Sequence, residues 1–247
     1  MNSTQYEGQR ALVTGAGGGI GSAISRVCAE RGASLILTGR NREKLESVRL
    51  SLPGPQGHHV VPADLTRDDE LTLLGQTAAE LSGTEPLGIL VLNAGAALSA
   101  SIEDTTVQQW DHLFALNVRA PFQLVKALLP ALRANPGGGR IFVIGSVVST
   151  EAYLDQGAYA ASKHALHGFT RVLARELHRE GAAVQVHSIL PGGVNTEMVR
   201  SVRPDIDTEQ LIDPTEIAGI VGALLDMAGN AAVDEVRVRR RTKDPGA

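Results

Sequence analysis

The stretch Arg10-Ala11-Leu12-Val13-Thr14-Gly15-Ala16-Gly17-Gly18-Gly19-Ile20-Gly21 decides the fold. A short apolar run enters a glycine-dense turn, and an amphipathic helical pattern follows over 19–31. Strand, glycine turn and helix amino terminus, in that order, make an anion site. Exposed backbone N–H groups and the positive helix end face a pyrophosphate that any Cβ would hold off. The spacing is Gly15-x3-Gly19-x-Gly21, which does not fit the strict G-x-G-x-x-G fingerprint. A merely flexible glycine turn is the competing reading.

Outward from this turn the chain alternates short β-branched or Leu-rich runs with longer amphipathic stretches. Strands are expected at 10–14, 34–38, 58–62, 87–92, 140–145, 184–190 and 235–238, and helices at 19–31, 42–50, 68–81, 107–135, 157–179 and 215–227. Such alternation implies βαβ crossovers and a parallel sheet covered on both faces. Ile141-Phe142-Val143-Ile144 is apolar at every position, as a doubly covered strand should be. Thr66-Arg67-Asp68-Asp69 and Asp213-Pro214-Thr215-Glu216 read as helix starts with their caps. The clusters Pro53-Gly54-Pro55-Gln56-Gly57 and Pro136-Gly137-Gly138-Gly139 fall between a helix and the next strand, so they read as turns rather than linkers. The expectation is one domain over 1–247, with flexible ends at about 1–7 and 239–247.

Composition removes several function classes. The 247 residues carry 23 Lys+Arg against 27 Asp+Glu, and 3% aromatics, so neither a basic stripe nor stacking aromatics are available for nucleic acid. The longest apolar stretch, 217–225, is far short of the roughly 18–20 residues that span a bilayer. The polar start Met1-Asn2-Ser3-Thr4-Gln5 lacks the order of a signal peptide. Cys28 is the only cysteine, which excludes an intramolecular disulfide and makes a reducing cytoplasm the simplest compartment. No His-Glu-x-x-His or Cys/His cluster supports a catalytic metal. The 27 glycines, roughly 11% against an average near 7%, are the compositional anomaly. Five of them fall in 15–21, which reads as a map of where backbone approaches a ligand.

Three further places carry chemistry. After the second strand comes Leu37-Thr38-Gly39-Arg40-Asn41-Arg42, with no carboxylate before Glu43. A cation there suits a ribose 2′-phosphate, whereas a free 2′-hydroxyl calls for an acid; a solvated helix start is the alternative. Tyr159 and Lys163 lie four apart in a helical stretch, so phenol and ammonium share a face. A nearby cation is expected to lower the tyrosine pKa towards a value useful for proton transfer. Ser146 follows Gly145 at the end of the fifth strand, where α/β sheets bind ligands, and its hydroxyl can donate to a carbonyl oxygen.

With these residues on the page, the chain resembles the classical short-chain dehydrogenases/reductases from about Gly8 to Glu216. The likeness rests on Thr14-Gly15-x3-Gly19-Ile20-Gly21, Asp64-Leu65, Asn93-Ala94-Gly95, Asn117, Ser146, Tyr159-x3-Lys163 and Pro191-Gly192-x-Val194-x-Thr196, in family order. The resemblance implies a Rossmann-type doubly wound α/β fold of about seven strands in the order 3-2-1-4-5-6-7. It also implies hydride transfer between NADP(H), with NAD(H) possible, and a small carbonyl or alcohol. Tyr159 would be the general acid or base, Lys163 would lower its pKa and hold the nicotinamide ribose, and Ser146 would orient the substrate oxygen. Asn117 would position a water in a proton relay, the competing reading being a polar kink in its helix. Gly15, Gly19, Ile20 and Gly21 would hold the pyrophosphate, Arg40 the 2′-phosphate, and Asp64 with Leu65 the adenine. Asn93, Ala94 and Gly95 would line the cofactor floor. Pro191, Gly192, Val194 and Thr196 would cover the nicotinamide, with the Thr196 hydroxyl on its carboxamide. A homodimer or homotetramer is implied too.

The ending departs from the family pattern. Val233-Asp234-Glu235-Val236-Arg237-Val238 supplies a strand but no glycine tail, and the basic coil Arg239-Arg240-Arg241-Thr242-Lys243 reads as a solvated terminus. The stretch 197–212 reads as a mobile lid whose inner side Met198, Val199 and Val202 could make apolar, and Tyr153 could line the pocket. Trp110, Phe114 and Phe122 read as core or subunit contact. The rival function is a catalytically silent dinucleotide-binding regulator on the same fold.

Overall fold

A computed structural model describes residues 5–54, 57–204, 206–229 and 231–241. Its frame is seven parallel strands: β1 (Arg10–Thr14), β2 (Ser34–Gly39), β3 (His59–Pro62), β4 (Leu87–Leu92), β5 (Gly139–Ile144), β6 (Val184–Pro191) and β7 (Glu235–Val238). They lie in the order β3-β2-β1-β4-β5-β6-β7, as the sequence predicts. Helices α1 (Gly19–Glu30), α2 (Arg42–Ser51), α3 (Asp68–Leu81), α4 (Val107–Phe114), α5 (Ala120–Ala134), α6 (Gly157–Arg179), α7 (Glu197–Val202) and α8 (Pro214–Leu225) connect them. No described helix is long and apolar enough to cross a membrane.

Strands that are apolar at every position divide their side chains by the two-residue period between two cores. Ala11, Val13, Leu35, Leu37, Phe142 and Ile144 pack with α1 and α8 on one face. Leu12, Ile36, Leu90, Ile141 and Val143 pack with α3, α5 and α6 on the other. Leu65 belongs to this second core, at 4% exposure.

Two local expectations need correction, and a third, core or subunit contact for the aromatic stripe, is narrowed to its second reading. The helical stretch 107–135 is not continuous, because a π turn at Ala115–Arg119 separates α4 from α5. Pro121, in the first turn of α5, has no N–H for the carbonyl of Asn117 four residues earlier, so the α ladder fails there. Thr66 does not cap α3; the residue preceding that helix is Arg67, and the Thr66 hydroxyl donates instead to Asp64 Oδ1 at 2.8 Å. Trp110 and Phe122 are 42% and 48% exposed, so the α4–α5 aromatic stripe is not core, although Trp110 stacks on Phe114.

Of the ends expected to be flexible, residues 1–4 and 242–247 lie outside the described residues. Next to the first of these, Tyr6 is buried and its hydroxyl donates to the Leu225 carbonyl at 3.2 Å. At the other end β7 adds to β6 in parallel, and Gly192 N–H donates to the Val238 carbonyl at 2.8 Å.

A bidentate pair closes the α1–α8 side, with Arg31 Nε and Nη2 donating to the two carboxylate oxygens of Asp226, each at 2.8 Å. The guanidinium holds the Asp226 pKa below the usual carboxylate range. Asp226→Asn is expected to lower stability by about 1 kcal/mol, since the aspartate side faces solvent. A depressed folded pKa contributes stability above the unfolded value near 3.9 and loses it as pH falls through the folded one. Thermal melts should therefore separate variant and wild type at pH 7 and converge below about pH 4; a constant separation would remove the ionic reading.

Candidate active site

The carboxyl ends of β1, β4, β5 and β6 converge on one crevice, and each delivers part of the site. The turn after β1 is built first by its own packing. Gly15 sits at φ +64°, a left-handed conformation that favours glycine. A Cβ on Gly21 would lie 2.2 Å from the Gly15 carbonyl oxygen and 2.8 Å from Asn93 Nδ2. Asn93 pins the turn from β4, its amide donating to the Thr14 carbonyl at 2.9 Å and the Gly15 carbonyl at 3.3 Å. The Thr14 hydroxyl in turn accepts the N–H groups of Asn93 and Ala94, both at 2.9 Å. Gly15 and Gly21 are thus required by the packing of the chain itself. At Gly18 a Cβ would meet only the Gly15 carbonyl, at an ordinary 3.4 Å.

The helix after this turn shares with α5 and α6 an amino end that no side chain caps and no acid flanks. α2, α4 and α8 are capped by side chains of Asn41, Thr106 and Asp213, whereas α1 has no side-chain cap and no acid in its first turn. The amino end at Gly19, Ile20 and Gly21 therefore keeps an anion-seeking terminus. Arg40, after β2, is exposed, and among the described residues no carboxylate pairs with it. Asp64 accepts from the N–H and hydroxyl of Thr66, which hold its pKa low, with Arg40 contributing.

Tyr159 and Lys163 sit on α6. Tyr159 is half-buried and lines a cavity of about 200 Å³ together with Ser146. Lys163 is buried, its Nζ donating to the Ile144 carbonyl at 3.2 Å and lying 5.9 Å from the centre of the Tyr159 ring. Burial pushes the Lys163 pKa down to about 8. The Tyr159 pKa is raised by burial, with hydrogen bonding to Ser146 pulling it back. The net direction is therefore opposite to the lowering expected from Lys163, because burial desolvates the phenolate. Ser146 also accepts from Val148 N–H at 3.2 Å.

Asn117 lies in the π turn, fully buried. Its Oδ1 accepts from Ala96 N–H at 2.9 Å, and its Nδ2 donates to the Ala96 carbonyl at 2.9 Å and to Ser162 Oγ at 3.0 Å. The side chain ties the segment after β4 to α6, and Pro121 four residues on is the sequence signal that marks the kink. A Cβ at Gly95 would be 3.1 Å from Asn117 Oδ1 and 3.6 Å from Lys163 Nζ, so Gly95 shares their corner. After β6, Val194 is buried and bridges to Ile212, and Thr196 caps α7 by accepting Val199 N–H at 3.3 Å. The Thr196 hydroxyl is thus turned to its own helix and to the Val194 carbonyl at 3.4 Å.

Met198, Val199 and Val202 line the cavity, as does Tyr153, in agreement with their reading from the sequence. Arg203, Arg239 and Arg240 line it as well and were not foreseen there.

A family profile described as short chain dehydrogenase matches residues 9–207. An uncharacterized oxidoreductase of Staphylococcus aureus strain MW2 is 36% identical over 229 residues, 93% of this chain and 96% of that protein. A metagenomic short-chain oxidoreductase solved in complex with NADP is 30% identical with a TM-score of 0.81, covering 97% of this chain and 100% of that one. An alcohol dehydrogenase from the archaeon Thermococcus sibiricus, complexed with 5-hydroxy-NADP, is 26% identical with a TM-score of 0.85, covering 97% and 99%.

Proposed function

The chain belongs to the short-chain dehydrogenase family of oxidoreductases, and from that premise we propose that it interconverts a small carbonyl compound and its alcohol with NADP(H). The observation that carries this reading is the cavity shared by Tyr159 and Ser146, with the Lys163 ammonium buried beneath. NADPH, when bound, supplies the hydride. The chain supplies orientation and the proton. Ser146 donates to the substrate oxygen, and Tyr159 Oη holds the proton that this oxygen takes up on reduction, or receives it back on oxidation. Lys163 is charged below about pH 8 and stabilises phenolate as it forms. Asn117 is a positioning residue, fixing α6 against the segment after β4.

The uncapped α1 terminus at Gly19, Ile20 and Gly21 fits a pyrophosphate, and the exposed Arg40 fits a 2′-phosphate. Asp64 and the backbone at Leu65 fit the adenine, Asn93, Ala94 and Gly95 the floor, and Pro191 to Thr196 the nicotinamide side. Arg40→Ala is expected to raise KM for NADPH roughly 10- to 100-fold while leaving NADH nearly unaffected, the value of one charge-assisted contact. Equal effects on both cofactors would sink the assignment. A panel of ketones, aldehydes and diketones followed by NADPH absorbance tests the function itself; no decay with any of them would refute it. The exposed face of Trp110 and Phe122 supports a homodimer or homotetramer, and the single, buried Cys28 fits a reducing cytoplasm.

A further inference from the structure

We propose that the substrate carries a carboxylate, held by Arg240 with Arg239 in the cavity that contains Tyr159. The proposal rests on the oxidoreductase reading above and deepens it. Arg203, Arg239 and Arg240 line that cavity, and among the described residues no aspartate or glutamate does. Net charge is −4, so this concentration of cations is local and runs against the whole. Their basic neighbour Arg237 is already neutralised, donating to Glu151 Oε1 at 2.8 Å and to Thr150 Oγ1 at 2.7 Å. Among the described residues no carboxylate pairs with Arg239 or Arg240.

Arg240 Nη1 is buried without a hydrogen-bond partner. A desolvated guanidinium N–H with nothing to donate to is costly, and an anion in the cavity would remove the cost. The amino terminus of α6 reinforces it. Gln156 and Tyr159 line the same cavity, the residue before the helix supplies no side-chain cap, and no acid sits in its first turn. The positive end of that helix therefore faces the cavity wall. The arginines are held in place by structure rather than by chance, because β7 pairs with β6 up to Val238 and Arg237 is anchored to Glu151. A planar carboxylate matches the guanidinium fork. The volume of about 200 Å³ equals roughly seven waters at their liquid share. It suits an acid of a few carbons, with its carbonyl at Tyr159 and Ser146.

The test compares 2-oxobutanoate, 3-oxobutanoate and 4-oxopentanoate with their neutral amides as substrates with NADPH. For at least one chain length, the wild type should favour the acid roughly 30-fold or more in kcat/KM, chiefly through KM. Arg240→Gln should bring the ratio towards one and Arg240→Lys should leave it intermediate, since lysine keeps the charge without the fork. Being measured within one protein sample, the ratio is immune to loss of folded enzyme. Calorimetry with butanoate reads the anion site without turnover, and Arg240→Gln should weaken this binding by a similar factor. Acid and amide reduced alike by the wild type, or a ratio untouched in the Arg239→Gln/Arg240→Gln double variant, overturns the carboxylate site while the oxidoreductase stands. Butanoate binding that depends on Arg240, with no carbonyl of either kind reduced, overturns the oxidoreductase reading while the anion site stands.

Discussion

Tyr159→Phe is expected to lower turnover about a thousandfold while leaving the dissociation constant for NADPH within a factor of a few. The substitution removes one oxygen and keeps the ring, so the wall of the cavity survives and only the proton donor is lost. General acid catalysis contributes about 10² to 10⁴, and a thousandfold loss corresponds to about 4 kcal/mol of barrier. Single-turnover rates together with NADPH fluorescence titration separate chemistry from binding. Wild-type turnover in Tyr159→Phe would exclude the phenol as the acid. The pH dependence supplies a second signature. Burial raises the Tyr159 pKa, so the phenol stays protonated through neutral pH, ready to donate. Lys163 loses its charge near pH 8, and above that the support for the developing phenolate disappears. Reduction should therefore fall through about pH 8, and this limb should be absent from the residual rate of Tyr159→Phe.

Gly21→Ala is expected to have the next largest effect, on stability and cofactor affinity together. The new methyl would stand 2.2 Å from the Gly15 carbonyl oxygen and 2.8 Å from Asn93 Nδ2, both parts of a pinned turn. Neither neighbour can swing aside. The carbonyl is backbone, and the Asn93 amide is tied to Thr14 and Gly15. Overpacking of this kind costs about 1–3 kcal/mol, which for a chain of this size lowers Tm by roughly 2–4 °C per kcal/mol. NADPH binding should weaken at least tenfold, because the turn that presents the α1 terminus must move. Gly18→Ala is the contrast, since its methyl meets ordinary contact distances in the free protein. It should keep the Tm within about 1 °C and lose only cofactor affinity. Equal destabilisation by the two substitutions would show that glycine flexibility, rather than the Gly21–Gly15 approach, sets the turn.

Much of this architecture is legible locally. β1, β4 and β5 announce themselves because doubly covered strands are apolar at every position, and the strand order follows from the family motifs spread along the chain. Tyr159, Lys163 and Ser146 are legible because residues four apart on a helix share a face and because ligands gather at strand ends. Met198, Val199 and Val202 are legible as the apolar residues that follow Thr196. The break at Asn117 was harder to see in the long amphipathic stretch, although Pro121 carries the signal. The true partner of the Thr66 hydroxyl was also missed, because Ser, Thr and Asp side chains choose among several nearby backbone and side-chain partners.

What the sequence by itself determines is the doubly wound sheet, the glycine turn and the shared helix face of Tyr159 and Lys163, since each is written in short-range periodicity or spacing. What only the tertiary structure decides is where the ends of that pattern meet. Burial sets the direction of the Tyr159 and Lys163 pKa shifts, and burial is a property of the assembled cavity. The run Arg239-Arg240-Arg241 reads as a solvated tail in the sequence. Arg239 and Arg240 become part of the cavity wall because β7 adds to β6, a pairing between residues 47 positions apart, such as Ser188 and Glu235. Local patterns carry no record of such a contact. The physical reason is that a side chain's electrostatic role depends on the dielectric and the charges around it, and these exist only once distant segments have packed together.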